Sequence, residues 1–304
     1  MAHDMRASPT GGSWMRTAPV FPRAICGDVS RNASWRGRLA ILPAALLAGL
    51  SILLAAAPAR AQPMKASYVV RAAGLTVMDI EASFDLSDSS GGYVLEIRTH
   101  MRGVASLFRS GTMTTRATGN WTDGRPQPRR YVAQGVWGGE QRSTVVDYLD
   151  GQPVLRQLLP PLDTDEREPV PAAAQRGTMD SLTAVAALLR QVRDSGRCEA
   201  QAAVFDGRRR SELSARTLGW EMLSGNWPGR ALHCHFSGRL THGFKLDDSP
   251  AERQRLQEGD AWLAQVHPGG PFLPVRLEIP NRWFGQTTVS LVRVSEAPSL
   301  ASQR

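Results

Sequence analysis

Apolar and polar residues alternate along most of the chain between residue 66 and about residue 158. Tyr93 and Leu95, for example, fall on one face of an extended strand. The alternating runs are separated by dipeptides typical of tight hairpin turns, namely Asp123-Gly124, Gly138-Gly139 and Asp150-Gly151. The pattern therefore predicts a meander of about seven antiparallel strands over this part of the chain.

A helical period replaces the strand period after a connector rich in proline and aspartate, Pro160 to Pro171. Apolar residues then recur on one face of a predicted helix at about 179–193. Asp180 or Thr178 can cap the start of this helix, and Gly196 ends it. The spacing predicts one helix in the middle of the chain.

Strand-like patterns resume after the helix and continue to about residue 294. The fold class expected is mainly β, α+β at most, with a long curved antiparallel sheet or half-barrel and one mid-chain helix. We interpret residues 62–304 as a single mostly-β domain that contains the proline-rich connector 160–171.

The N-terminal segment has the pattern of a secretory signal peptide. An apolar run, Leu39 to Ala57, follows several arginines and precedes Ala59-Arg60-Ala61, which predicts cleavage after Ala61 and a periplasmic protein. The alternative is an uncleaved segment that anchors the protein to the inner membrane. We expect residues 1–61 to be an N-terminal extension and signal peptide, with three alternative starts, Met1, Met5 and Met15.

Removal of residues 1–61 changes the interpretation of the charge. The whole chain has 36 basic and 28 acidic side chains and a net charge of +8; seven arginines, Asp4 and Asp28 lie in the removed segment. The remaining 29 basic and 26 acidic side chains give a net charge of +3. Such a small excess argues against nucleic acid as a partner.

The cysteines also become simpler to interpret. Cys26 precedes the apolar run, so it is lost with the signal peptide and cannot be a lipid-attachment cysteine. Cys198 and Cys234 remain, and two cysteines in an oxidising compartment favour a disulfide bond. The alternative is a pair of buried free thiols.

Several short segments, in a fixed order, resemble one bacterial family. They are Tyr68 with Gly74, Met179-Asp180-Ser181-Leu182, Cys198, Val204-Phe205-Asp206-Gly207-Arg208, Cys234 and Leu273-Pro274-Val275-Arg276. Together they resemble domain-of-unknown-function family 3108, secreted envelope proteins, over roughly residues 64 to 296. The resemblance implies an exported address and a curved sheet similar to the half-barrels of lipoprotein carriers, and it implies no reaction.

Histidines form the strongest candidate for a metal site. His233 and His235 point to the same face of a predicted strand, and His242 would have to supply a third ligand. Cys234 lies between the first two but points to the other face. A polar surface pair is the alternative interpretation, and we predict no metal and no cofactor.

Candidate catalytic groups are few. Neither Gly-x-Ser-x-Gly nor Ser-x-x-Lys occurs, and the available carboxylates do not form a distinctive pair: Asp147, Asp163, Asp165 and Glu166. Asp206 is a tempting acid, but Asp206-Gly207 is also what a hairpin turn requires. We therefore assign these two residues to a turn and predict no catalytic residue.

Six tryptophans follow Ala61 in a chain that is otherwise poor in aromatic residues. On one face of a curved sheet they could line a cleft for sugars or acyl chains; the alternative is that they fill the core. The candidate cleft residues are Trp121, Trp137, Trp220, Trp262 and Trp283. Three arginines near the last strands could meet an anionic ligand, namely Arg276, Arg282 and Arg293.

The leading hypothesis is a non-enzymatic periplasmic domain that binds an envelope component, a lipid or a glycan, in the concave face of its sheet. One alternative is an envelope hydrolase or transferase that uses carboxylates on the strands. A second alternative is a scaffold within an envelope complex. The sequence leaves the ligand and the oligomeric state open.

Overall fold

The computed structural model describes residues 63–86, 91–103, 106, 111–162, 166–267, 270–281 and 285–297. The predicted signal peptide lies outside these residues. The strands are β1 Met64–Ala72, β2 Leu75–Asp85, β3 Gly92–Met101, β4 Gly111–Thr122, β5 Arg125–Trp137, β6 Glu140–Leu149, β7 Gln152–Leu159, β8 Ala200–Phe205, β9 Arg210–Leu223, β10 Gly229–His242, β11 Leu256–Gln265, β12 Phe272–Asn281 and β13 Gly285–Glu296. The helices are α1 Ala172–Gln175, α2 Ser181–Ser195 and α3 Pro250–Arg253.

All thirteen of these strands belong to one antiparallel sheet. Each strand pairs with the next one along the chain from β1 to β7 and again from β8 to β13, and β1 pairs with β13. The order across the sheet is therefore β7-β6-β5-β4-β3-β2-β1-β13-β12-β11-β10-β9-β8. The described strands β7 and β8 end the sheet without pairing with each other, so it is not closed into a barrel. The predicted fold class is confirmed.

Asp-Gly dipeptides form the predicted hairpin turns in the first meander. Asp123 and Asp150 have φ angles of 51°, and the glycines that follow them have φ angles of 74° and 72°. Two consecutive residues with positive φ are typical of the type I′ turn, whose twist matches that of the flanking strands. Strands β4 to β7 are therefore connected by the turns that the local sequence specifies.

Helix α2 is the mid-chain helix that the sequence predicts. Asp180 is its N-cap and accepts a 2.8 Å hydrogen bond from the backbone N–H of Thr183. Gly196 ends the helix with a φ angle of 67°, and its N–H donates to the Val192 carbonyl at 2.8 Å. These contacts satisfy backbone groups that a helix end otherwise leaves without partners.

The apolar face of α2 packs against one face of the sheet, which we call the inner face. The buried helix residues join a core formed by side chains of most strands, including Tyr68, Leu95, Leu232 and Leu291. The buried helix residues of this core are Leu182, Ala186, Leu189 and Val192. The other face of the sheet, the outer face, carries most of the polar side chains. No helix in the described part of the chain is long and apolar enough to span a membrane.

A polar cluster surrounds the start of α2 on the inner face. The Tyr93 hydroxyl lies 2.8 Å from Thr183 Oγ1, which donates to Asp180 Oδ2 at 2.6 Å. Asp180 is fully buried, and this burial raises the pKa of its carboxyl group above the ordinary value. Tyr148 is buried in the same region, with no hydrogen-bond partner for its hydroxyl among the described residues.

The segment before α2 and the turn after β8 connect the two halves of the sheet. Met179 forms two backbone hydrogen bonds with β8, to Ala203 at 3.0 Å and from Phe205 at 2.8 Å. Gly207, with a φ angle of 92°, lies so close to β6 that an added Cβ would be 2.5 Å from Thr144 Cγ2. The outermost strands are thus connected through these contacts instead of a strand ladder.

Cys198 and Cys234 form the predicted disulfide bond, with their Cα atoms 6.0 Å apart. Cys198 precedes β8 and Cys234 lies on β10, so the bond spans β9. Both cysteines are buried at the inner face. The Cys198 N–H also donates to Thr217 Oγ1 on β9 at 2.8 Å. The bond therefore fixes the end strand β8 to a strand farther inside the sheet.

Candidate functional site

The outer face of β8 to β11 has a groove that we call the serine groove. Its floor is a row of four residues that are neighbours across the strands: Gln201, Ser214, Ser237 and Glu258. The two serine hydroxyl groups lie 2.8 Å apart. Because neighbouring strands are about 4.8 Å apart, the row spans roughly 14 Å. The short serine side chains leave space between longer side chains on both sides.

Two further rows form the walls of the serine groove. Arg216, His235 and Asp260 are register partners on one side, and Glu212, Arg239 and Leu256 are partners on the other. The groove consists of two overlapping recesses of about 560 and 490 Å³, which share Gln201 and the two serines. These volumes are in the range of small-ligand sites.

Most charged groups at the serine groove are paired. Arg210 and, to a smaller extent, Arg239 donate hydrogen bonds to the Glu212 carboxylate, which lowers the pKa of Glu212. Glu199 lies at one end of the groove and pairs with Arg197 at 3.0 Å. Hydrogen bonds from Arg197, and smaller contributions from Thr217, lower the pKa of Glu199 to about 2.

A chain of alternating carboxylates and imidazoles extends from the groove across β9, β10 and β11. His235 contacts Glu258 at 3.4 Å and Asp260 at 3.3 Å. His233 contacts the same oxygen of Asp260 at 3.1 Å and Glu221 at 2.6 Å. An ionised carboxylate only accepts hydrogen bonds, so an imidazole nitrogen that binds one donates its N–H. Each histidine is thus held between two carboxylates.

Trp262 completes this cluster beside His233. The two rings stack at 4.4 Å, and Trp262 Nε1 donates to Glu221 Oε2 at 2.8 Å. The hydrogen bond from Trp262 and, to a smaller extent, the one with His233 lower the pKa of Glu221. The Arg276 guanidinium lies 5.0 Å from the centre of the Trp262 ring, so this arginine stacks on an aromatic face.

The three histidines named as metal candidates do not converge. His233 and His235 share the outer face, as the strand period predicts, and Cys234 between them belongs to the disulfide at the inner face. His242 is nine residues from His233 on the same strand, about 30 Å away at the usual rise. Among the described residues, no group of three or more His, Cys, Asp or Glu side chains is arranged to hold a metal ion.

The tryptophans named as cleft residues do not line one surface. Trp121 lies at the inner face between Tyr93 and Arg190 of α2. Trp220 is 41% exposed and contacts Phe272 and Arg230. Trp262 lies on the outer face and Trp137 at the end of β5. Trp283 lies outside the described residues. Helix α2 packs against the inner face, where its Arg190 lies 4.5 Å from the centre of the Trp121 ring.

The carboxylates named for catalysis are also dispersed. Asp147 accepts from Arg130 at 2.7 Å and from Arg156 at 3.0 Å on the outer face of β5 to β7. In the connector, the backbone carbonyl of Glu166 accepts a hydrogen bond from the backbone N–H of Leu246. Asp163 and Asp165 lie outside the described residues. None of the described carboxylates in this set approaches another.

Asp206 and Gly207 lie in the turn between β8 and β9, as the sequence predicts. The Asp206 N–H donates to the Arg209 carbonyl at 3.2 Å, so Gly207 and Arg208 are the two central residues of the turn. The Asp206 carboxylate accepts from the backbone N–H groups of Arg208 and Arg209 and pairs with the Arg209 side chain. These bonds stabilise the turn, so the aspartate has a structural role here.

A second recess, the amide trough, lies on the outer face of β4 to β7. Its volume is about 800 Å³, and half of the residues that line it have uncharged hydroxyl or amide side chains. They are Thr112, Thr114, Gln134, Gln141, Ser143 and Gln157. His100 contacts Thr112 at 3.0 Å, and Arg142 is paired with Glu140 at 3.1 Å. The two halves of the sheet thus have recesses of different chemistry.

Sequence reasoning missed the serine groove. Ser214 and Ser237 are 23 positions apart, and they become neighbours only through the register of β9 and β10. Each strand contributes only one polar residue to the floor, so no short segment of the sequence indicates a site. The alternation itself, which places Ser214 and Arg216 on one face, was the available hint.

Comparison with known proteins gives a family and a similar fold. The family model described as "Protein of unknown function (DUF3108)" matches residues 65–292. No curated protein matches the chain significantly. A solved structure, the beta-barrel-like protein of domain of unknown function DUF1849 from Brucella abortus, is 13% identical with a TM-score of 0.49. The match covers 79% of this chain and 100% of that chain. Because the family model matches most of its length, the chain belongs to the DUF3108 family.

Proposed function

We propose that this protein is a non-enzymatic, periplasmic binding domain for a glycan of the bacterial envelope and that the glycan binds in the serine groove. The observation that carries the proposal is the row of hydroxyl, amide and carboxylate groups on the groove floor, from Gln201 to Glu258. Sugar hydroxyl groups both donate and accept, so they match such a row of mixed polar groups.

A glycan is favoured over a lipid because of the position of α2. An acyl chain would need an apolar space, and α2 fills the inner face with Leu182, Leu189 and Val192. The three recesses described above all lie on the outer face, and more than half of the residues that line each of them are polar. The periplasmic address is supported by the disulfide, because such bonds persist in oxidising compartments.

Binding is favoured over catalysis because the cluster beside the groove is internally satisfied. Both nitrogens of His233 and of His235 face carboxylates. Neither imidazole then has a ring nitrogen placed to remove a proton from a substrate in the groove. The cluster instead supports the groove wall that carries His235.

The test uses the full chain, exported to and purified from the periplasm of a bacterial host. Soluble glycan fragments, released by glycosidase digestion of purified envelopes, are titrated calorimetrically, in parallel with liposomes of envelope phospholipids. We expect binding to the glycan fragments and none to the liposomes. The double substitution Ser214→Leu with Ser237→Leu fills the floor and removes its hydroxyl groups, so affinity should fall at least tenfold, about 1.4 kcal/mol.

A matched control is available in the amide trough. Thr112→Leu with Thr114→Leu makes the same chemical change on the outer face of β4 and should leave glycan affinity within twofold. Binding to liposomes alone, or equal loss of glycan binding in both double variants, would contradict the proposed function.

A further inference from the structure

We infer that the glycan bound in the serine groove carries a negatively charged substituent, a carboxylate or a phosphate, and that Arg216 binds this substituent. The inference rests on the proposed function and names the class of glycan. It follows from the missing ion pair of Arg216, from the position of this residue, and from the chemistry of its guanidinium.

One arginine that lines the groove has no ion pair. Glu199 pairs with Arg197 and Glu212 with Arg239, and Glu258 lies within hydrogen-bond distance of His235. Arg216 also lines the groove, but it forms no ion pair with any residue in the described parts of the chain. Its guanidinium is therefore open to a ligand, and the ligand group that complements it is an anion.

Arg216 is placed to reach a ligand that lies on the serine floor. It is two residues from Ser214 on β9, on the same face, and its register partner on β10 is His235. Two residues along a strand correspond to about 7 Å, which is shorter than an extended arginine side chain plus a hydrogen bond. A ligand whose hydroxyl groups bind the serines can therefore place its charged group at the guanidinium.

The chemistry of arginine strengthens this assignment. A guanidinium offers parallel N–H donors that bind a carboxylate or phosphate in a bidentate manner, and such charge-assisted pairs are stronger than neutral hydrogen bonds. Arg216 is exposed at the groove wall, so the contact is open to salt screening. An acidic glycan should therefore bind better at low salt, whereas a neutral glycan should show little salt dependence.

The experiment compares oligosaccharides that differ only in charge. Tetragalacturonate, its fully methyl-esterified form and a maltotetraose that carries one phosphate are titrated against the full-length exported protein at low and at physiological salt. We expect the acid to bind about tenfold tighter than the ester at low salt. The phosphorylated sugar distinguishes a phosphate-specific site from a carboxylate-specific site.

Substitution of Arg216 assigns the effect to one side chain. Arg216→Gln should remove the preference for the acid and leave affinity for the ester unchanged, and Arg216→Lys should retain part of the preference. Arg156→Gln is the matched control, because Arg156 lies on the outer face of the other half of the sheet, is paired with Asp147 and lines no part of the groove. Unchanged thermal unfolding of each variant shows that the fold is intact.

The two proposals can fail separately. If the protein binds envelope glycan fragments but binds acid and ester equally, or if Arg216→Gln keeps the preference, the assignment of Arg216 is wrong and the proposed function stands. If it binds neither the fragments nor any oligosaccharide, the proposed function and the assignment are both wrong.

Discussion

The two halves of the sheet are similar in architecture and different in surface chemistry. Strands β1 to β7 and strands β8 to β13 each form an antiparallel meander with a recess on the outer face. Uncharged amides and hydroxyls line the amide trough, whereas charged residues flank the serine groove. Backbone topology therefore supplies the recess, and the residues on alternating positions of each strand decide what it can bind.

The halves also differ in how their end strands are held. A covalent bond between Cys198 and Cys234 fixes β8 to β10. The other end strand, β7, depends on its ladder with β6 and on contacts with the turn at Gly207. The two halves should therefore respond separately to substitutions in each of them.

Removal of the disulfide should produce the largest effect. Replacement of Cys198 and Cys234 by alanine should lower the free energy of unfolding by about 3–4 kcal/mol, because the bond closes a loop of 36 residues in the unfolded chain. Chemical denaturation measures the loss. Hydrogen exchange should accelerate first in β8 and β9, and equal acceleration in β4 to β6 would contradict separate behaviour of the halves.

The contact between the halves should be the next most sensitive. Gly207→Ala places a side chain at a φ angle of 92° and 2.5 Å from Thr144 Cγ2, so we expect a loss of about 1–3 kcal/mol. Gly124→Ala is the control, because it also has positive φ but has no atom near its added Cβ. Equal losses in the two variants would show that the contact with β6 contributes nothing.

Asp180 should make stability depend on pH at the inner face. In the unfolded chain its carboxyl group ionises near 3.8, whereas burial raises its pKa in the folded protein. The folded state then holds the proton to higher pH, so this contribution to stability is full below about 3.8 and declines as pH rises through the folded pKa. Asp180→Asn keeps the cap and should flatten this decline. Urea denaturation at a series of pH values measures the free energy of unfolding, and the same pH dependence in the variant and the unchanged protein would contradict the prediction.

Glu221 should produce a smaller effect of opposite sign on the outer face. Its pKa is lowered by hydrogen bonds from Trp262 and His233, so its contribution is present above about 4.5 and is lost as pH falls through the folded pKa. The side chain is 46% exposed, and solvent screening keeps the effect small. Glu221→Gln should remove an acid-dependent change in Trp262 fluorescence, whereas Glu140→Gln, near the amide trough, should not.

Local features of the fold could be predicted from the sequence, and non-local ones could not. The turns at Asp123 and Asp150 and the ends of α2 depend on residues close together in the chain. The disulfide also followed from counting cysteines. The pairing of β1 with β13 joins segments more than 200 positions apart, and no periodicity of a single strand reports its neighbours.

The candidate site was less predictable than the fold for the same reason. His233 and His235 were correctly placed on one face, but their partners Glu221 and Asp260 come from two other strands. Trp262 was a candidate either for a ligand cleft or for the core, and it is buried in a stack on His233 that the sequence did not predict. A register shift beside each of these residues, between His233 and Cys234 and between Trp262 and Leu263, further weakens any inference from spacing.

The pairing of β1 with β13 has a consequence for the order in which the protein is made. The first and last strands lie side by side in the middle of the sheet, and a backbone bond from Ala297 to Pro63 extends their ladder. One edge of β1 therefore has no partner until nearly the whole chain has left the ribosome. The two meanders can form during synthesis, whereas the sheet becomes continuous only when the last dozen residues of the domain arrive.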